Sequence, residues 1–203
     1  MEKAEAARRV SESLQERVGA VCLEESLSFL ESYENEVRSF LQLNGRPIAS
    51  SLRVLENCCR LRVAWHKIIC ICSASTDQDV KVKGFLEHLE NEIVEQLLQK
   101  ITPKVKRILK DHFKKGDIKK RDSGLGHILE SLKQSFLAFE GKNTAIYEVL
   151  VKNVHDIIIK EYAQALLTIS RKPSSEQRRR IVSRIEEDHR MLQTMITQCL
   201  VSL

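Results

Sequence analysis

Residues 82–108 read VKGFLEHLENEIVEQLLQKITPKVKRI, and this stretch decides the fold. Val82, Leu86, Leu89, Ile93, Leu97, Ile101, Val105 and Ile108 recur at spacings of three and four, which is the period of one helix face and not of a strand. The pattern predicts an amphipathic helix of nearly forty residues, started by Asp77 or Asp79 as a cap. Pro103 lies inside it and removes a backbone donor, so a kink or break is expected near Thr102.

Outward from this helix the same period continues. Residues 1–42 read as one long helix with Leu14, Val18, Val21, Leu23, Leu27, Leu30, Val37 and Leu41, stopped by Asn44-Gly45 ahead of Pro47. A second helix spans about residues 48–73, with Leu52, Leu55, Cys59, Val63, Ile69 and Cys70 on one side and Trp65 as a packing anchor. After Lys114–Asp117, Asp122 or Ser123 starts a fourth helix that ends near Gly141. Asn143 caps a fifth, with Ile146, Leu150, Val154, Ile157, Ile158, Ala165 and Ile169. Pro173 stops it, and Ser174 with Gln177 forms a capping box for a sixth. That helix carries Ile181, Ile185, Leu192, Ile196 and Cys199 and reads as cut within or just after its last turns. The expectation is an all-α chain, an elongated rod of antiparallel helical bundles with a sub-bundle break near 115–122.

Composition agrees. Only 7 of 203 residues are Gly and 3 are Pro, too few for a sandwich, a barrel or a loop-rich enzyme. No apolar run is long enough to span a bilayer; the longest is near residues 68–72. The N-terminal residues lack the apolar core of a signal peptide, and no glycosylation sequon occurs. The expectation is a soluble intracellular chain whose six Cys are reduced and packed as small hydrophobes, with Cys59 and Cys70 mostly buried.

Motifs that carry chemistry are missing from the sequence. Gly124-Leu125-Gly126 lacks the third glycine and the preceding strand of a dinucleotide fingerprint. His88 and Glu92, four apart, offer two metal ligands without a third and read as an exposed polar face. Glu24-Glu25 and Glu186-Glu187 are adjacent on helices, a solvated pattern. The expectation is a non-enzyme with no cofactor and no metal.

Charge is more informative. Met1–Glu36 holds nine acids and four bases, whereas Lys100–Arg121 holds ten bases and two acids. A second basic run, Arg171–Arg184, has six bases against Glu176. Arg107, Lys110 and Lys114 share a helix face, and Lys115, Lys119, Lys120 and Arg121 can fold toward it. Such a cluster reads either as a solvated helix face or as a docking patch for an acidic partner or an anionic lipid surface. Nucleic acid is the weakest reading, because Phe113 is the lone aromatic in the run and single-strand binders need stacking platforms.

Residues 152–192, KNVHDIIIKEYAQALLTISRKPSSEQRRRIVSRIEEDHRML, carry a more particular pattern. A helix with Glu161-Tyr162 and Ala165-Leu166 leads through a short basic linker to a helix that opens in Glu and Arg and continues R-I-x-x-D/E. This resembles the C-terminal region of the exocyst complex component 3 family, which comprises the exocyst subunit, its 3-like paralogues and the TNF-α-induced M-Sec type. Leu97–Lys115, the following helix with Phe136, Leu137 and Phe139, and SFLESYENEVRSFL at residues 28–41 fit the same order. The match extends over about residues 15–200, and the vicinal Cys and basic patch lean toward a 3-like or M-Sec-like member. The resemblance implies the tethering-complex (CATCHR) fold and a role in exocytosis. It implies vesicle tethering at the plasma membrane from the cytoplasmic side, through other exocyst subunits, SNARE proteins or a Ral-type small GTPase. A basic helical adaptor for anionic membrane or nucleic acid is the alternative.

Overall fold

The computed structural model describes residues 11–42, 47–72, 75–110, 112–113, 124–139, 145–169 and 174–201. These residues form six α-helices and no strand: α1 (Glu12–Gln42), α2 (Ile48–Cys72), α3 (Thr76–Lys110), α4 (Gly124–Leu137), α5 (Ala145–Leu167) and α6 (Ser175–Val201). Helices joined by short links pack antiparallel, as such links require. No helix among the described residues is long and apolar enough to cross a membrane. The chain divides into two compact units, Met1–Val94 and Glu95–Leu203, with the boundary inside α3.

Helix α3 follows the period read from the sequence. Val82, Leu86, Leu89, Ile93, Leu97, Ile101 and Val105 are all buried, and at the end the stripe passes to Leu109 while Ile108 is half-buried. The helix runs through Pro103 without a break. Pro103 and Gln99 both face solvent, so the carbonyl that loses its donor can be hydrated. The Thr102 hydroxyl donates to the Leu98 carbonyl at 2.7 Å. The cap of α3 is Ser75, not Asp77 or Asp79. The Gln78 amide donates to Ser75 Oγ at 3.2 Å, and the Ser75 amide donates to Gln78 Oε1 at 3.1 Å. Asp79 is engaged elsewhere, accepting from Trp65 Nε1 at 3.1 Å and from Lys83 Nζ at 2.6 Å.

In the first unit, Leu23, Leu30, Trp65, Val82 and Leu86 form a core cluster, with Leu27, Leu61, Ile68, Ile69, Cys72 and Phe85 against it. Three positions read as apolar stripe prove solvent-facing: Val21 and Val63 are each 58 % exposed, and Leu14 is 38 % exposed. Cys70 is exposed as well. In α2 the expected Leu52, Leu55 and Cys59 are buried and Ile69 packs against the core cluster, but the helix also buries Cys58 and Trp65, whose indole is bonded to Asp79, and Val63 and Cys70 are left outward. The start of α1 meets the end of α2 at Gly19, where an added Cβ would stand 3.3 Å from the Cys72 carbonyl oxygen and 3.4 Å from its Cα. Glycine at this position allows the backbones to approach. A fork from Arg62 to the buried Glu90 ties α2 to α3, with Nη2–Oε2 at 2.6 Å.

In the second unit Leu97 and Ile101 of α3, Leu125 and Phe136 of α4, Leu150 and Val154 of α5 and Leu192 of α6 are buried. The capping box read at the start of α6 is present. Gln177 N donates to Ser174 Oγ at 3.2 Å, and Ser174 N donates to Gln177 Oε1 at 2.9 Å. Gly124 is the first residue of α4, and a Cβ there would stand 3.1 Å from the Ile108 side chain, a packing reason for glycine. Tyr147, absent from the sequence-derived stripe of α5, is fully buried. It stacks on Phe139 with centroids 5.3 Å apart and donates to the Cys199 carbonyl at 3.1 Å. Asp122, Ser123, Gly141 and Asn143, expected at the ends of α4 and α5, lie outside the described residues.

None of the six cysteines is in a disulfide. Cys58 and Cys199 are fully buried and Cys59 is nearly so, while Cys22 and Cys72 are half-buried. Burial, then the Glu90 charge, pushes the Cys58 thiol up to about 12. Maleimide labelling of the native chain, mapped by peptide mass, should therefore modify Cys70 first, with Cys58 and Cys199 slower by roughly a hundredfold or more. Equal rates at Cys58 and Cys70 would contradict this packing.

Candidate functional site

Two groups of residues concentrate the polar chemistry of the second unit. The first is the basic end of α3. Lys104, Lys106, Arg107 and Lys110 are exposed, on the side away from Ile101, Val105 and Leu109. Arg107 and Lys110 occupy the last turn, where cations complement the helix dipole. Lys114, Lys115, Lys119, Lys120 and Arg121 lie outside the described residues. Phe113, the aromatic of this run, is buried. The second basic run divides. Arg178, Arg179 and Arg180 are exposed, with Arg180 paired to Glu176, whereas Arg184 turns inward and is buried.

The second group is a buried polar node. The turn after α3 places His112 where Nε2 meets Asp188 Oδ2 of α6 at 2.5 Å. Tyr162 of α5 donates its hydroxyl to the same oxygen at 2.8 Å. His112 is 4 % exposed and Asp188 2 %. Phe113 closes the apolar side, edge-on to Tyr162 with centroids 5.2 Å apart. Asp188 Oδ1 is buried and makes no protein hydrogen bond. Arg184, one turn before Asp188, reaches Glu187 through Nη1 at 3.3 Å. Burial, and then the hydrogen bond and charge of Asp188, push the Tyr162 phenol well above its ordinary range. The chemistry of the node is cohesive: one carboxylate oxygen accepts from two elements and lashes the end of α3, α5 and α6 together.

The apolar pattern leaves this node out because two inward positions of α6 are charged. The buried stripe of α6 is Arg184, Asp188, Leu192, Met195 and Cys199, at spacings of four, four, three and four. Reading only apolar residues selects Ile181, Ile185 and Ile196 instead, which are half-buried. The signal was present in the spacing, continued N-terminally from Cys199 through Leu192 onto two charged positions. The pair His88 and Glu92 is not assembled into a larger ligand set. His88 is exposed, Glu92 stands 4.0 Å from Arg38, and no group of three potential metal ligands occurs among the described residues.

The first unit holds a groove among its described residues. An open, largely apolar groove of about 340 Å³ runs between α1 and α2, lined by Glu25, Ser26, Phe29, Leu30, Leu61, Ala64, Trp65 and Ile68. Phe29 is 55 % exposed at its edge and lies near-parallel to Tyr33, with centroids 6.1 Å apart.

Comparison of the chain with protein-family models, with curated proteins and with solved structures finds no match.

Proposed function

We propose that this chain is a non-enzymatic helical scaffold of the exocyst type, acting in vesicle tethering at the plasma membrane through contacts with exocyst subunits, SNARE proteins or a Ral-type small GTPase. The observation that carries the reading is a convergence. Two of the residues on which the resemblance rests, Tyr162 and the Asp188 of R-I-x-x-D/E, meet in one buried node joining α5 to α6. A pattern whose members meet in space reads as a structural signature of a fold rather than a chance string. The basic end of α3 is the surface such a scaffold would offer to an acidic partner. Each exposed charge contributes little alone and is screened over about 8 Å at physiological salt, so affinity requires several acting together.

A second reading rests on the four exposed bases Lys104, Lys106, Arg107 and Lys110 alone: an adaptor for anionic membrane surface or nucleic acid outside exocytosis. One experiment separates the two. Charge reversal at Arg107, Lys110, Lys114 and Lys115 together, with helicity checked by circular dichroism, is expected to reduce capture of exocyst subunits, SNAREs or Ral-type GTPases from cytosol by about tenfold or more. Loss of binding to anionic liposomes or duplex DNA, with no such partner captured by the unmodified chain, supports the adaptor. Retained folding with every binding unchanged leaves the patch as a solvated face.

A further inference from the structure

The groove between α1 and α2 has walls of opposite charge. Helix α1 holds seven Glu against Arg17 and Arg38, and Glu24, Glu25, Glu31 and Glu36 are exposed on it. Helix α2 holds four bases against Glu56. Its exposed Arg53, Arg60 and Lys67 stand seven residues apart, so they form one stripe along the helix. On α1, Glu25, Phe29 and Glu36 follow at four and seven, so acid and aromatic share the groove side. The floor between them is apolar: Leu30, Leu61, Trp65 and Ile68.

Such a surface is complementary to itself under one kind of two-fold axis. Two antiparallel helix pairs can be stacked face to face in two ways. An axis running across the groove lays α1 on α1 and brings acid against acid. An axis running along the groove lays α1 of each pair on α2 of the other, bringing acid against base and presenting each Phe29 to the opposite groove. Charge therefore selects the second arrangement, because like charges brought face to face oppose docking.

We propose that the α1–α2 groove receives the same groove of a second copy of this chain, forming a dimer about a two-fold axis parallel to the helices, with Phe29 of each copy seated on Leu61, Trp65 and Ile68 of the other. Phe29 and the apolar floor supply affinity. The acidic and basic walls fix the pairing, since rim charges contribute mainly to specificity. Arg60 holds Glu56 at 2.7 Å along its own helix and still presents 63 % of its side chain, so it can face a second carboxylate. The proposal concerns the first unit alone and does not rest on the tethering reading.

The test is the mass of the full chain in solution by sedimentation equilibrium, from about 1 to about 200 µM. The expected result is a reversible monomer–dimer equilibrium that Phe29→Asp weakens by about thirtyfold or more. Phe29 is more than half exposed, so this change leaves the core intact. Arg60→Glu with Lys67→Glu should also weaken the dimer by about tenfold, and adding Glu25→Lys with Glu36→Lys in the same chain should restore it. A monomer throughout the range overturns the proposal and leaves the groove to a partner of other sequence. A dimer indifferent to Phe29→Asp, or charge reversals that weaken and never restore, overturn it equally.

Discussion

Asp188→Ala is expected to lower the unfolding free energy of the second unit by about 3 to 5 kcal/mol. Asp188 accepts from both His112 and Tyr162 in a site closed to water. Its removal orphans two buried donors and leaves a void, and each orphaned group costs its full desolvation. His112→Ala should cost a similar amount, because it leaves a buried carboxylate with one partner fewer. Tyr162→Phe keeps the ring on Phe113 and removes only the hydroxyl, so about 1.5 to 3 kcal/mol is expected. The informative variant is the triple change Asp188→Leu with His112→Phe and Tyr162→Phe. Replacing all three partners by apolar groups of similar volume should recover much of the loss, since a polar set in an apolar site is costly to break and cheap to replace. Urea unfolding of the full chain, followed by helicity, measures all four. A cost below about 1 kcal/mol for Asp188→Ala would remove the node from the description of this unit.

The contrast between α3 and α6 shows where sequence reading holds and where it fails. In α3 the inward positions are Val, Leu and Ile nearly without exception, so period and face emerge together. In α6 two of the five inward positions are Arg184 and Asp188, and a reading that equates inward with apolar rotates the helix toward Ile181 and Ile185. Helix α2 fails differently. Leu52, Leu55 and Cys59 are inward as read, but the buried face also takes in Cys58 and Trp65, whose bond to Asp79 of α3 is a contact no local pattern encodes, and Val63 and Cys70 are left outward. The same bond engages Asp79, which with Asp77 is one of the two caps the sequence offers for α3, and Ser75 serves instead. At the basic patch, exposure of Arg107 and Lys110 was legible because cations in a last turn with solvated flanks have no reason to turn inward. Arg184, in an equally basic run, does turn inward, and its position in register with Asp188 and Leu192 is the distinguishing feature.

Stability should fall steeply as pH rises above about 9 in the first unit and above about 10 in the second. Burial, helped by the Glu90 charge, holds the Cys58 thiol up to about 12 from an ordinary 9.0. Burial, with the Cys58 charge, holds the Tyr33 phenol up to about 12 from 10.0. In the second unit burial raises Tyr147 and Tyr162 as well, the latter with the help of Asp188. Each of these groups is neutral when protonated, and the folded state holds the proton more tightly than the unfolded chain does. The stability they contribute is fully present below pH 9. It is lost as pH passes the unfolded values and climbs toward the folded ones, because the native state then binds more protons than the unfolded state. Each group weakens folding by up to about 1.4 kcal/mol per pH unit in that window. Cys58 and Tyr33 are neighbours, so loss of one proton tightens the hold on the other, and the pair titrates as a unit. Urea midpoints measured between about pH 8 and 11 should show the decline. Deprotonation of exposed lysines acts in the same range, so the decisive comparison is with Cys58→Ala combined with Tyr33→Phe. That chain starts less stable, because the smaller side chain leaves a void, yet its midpoint should fall less with pH over the same interval. An identical slope in the two proteins would show that neither group is held protonated by the first unit.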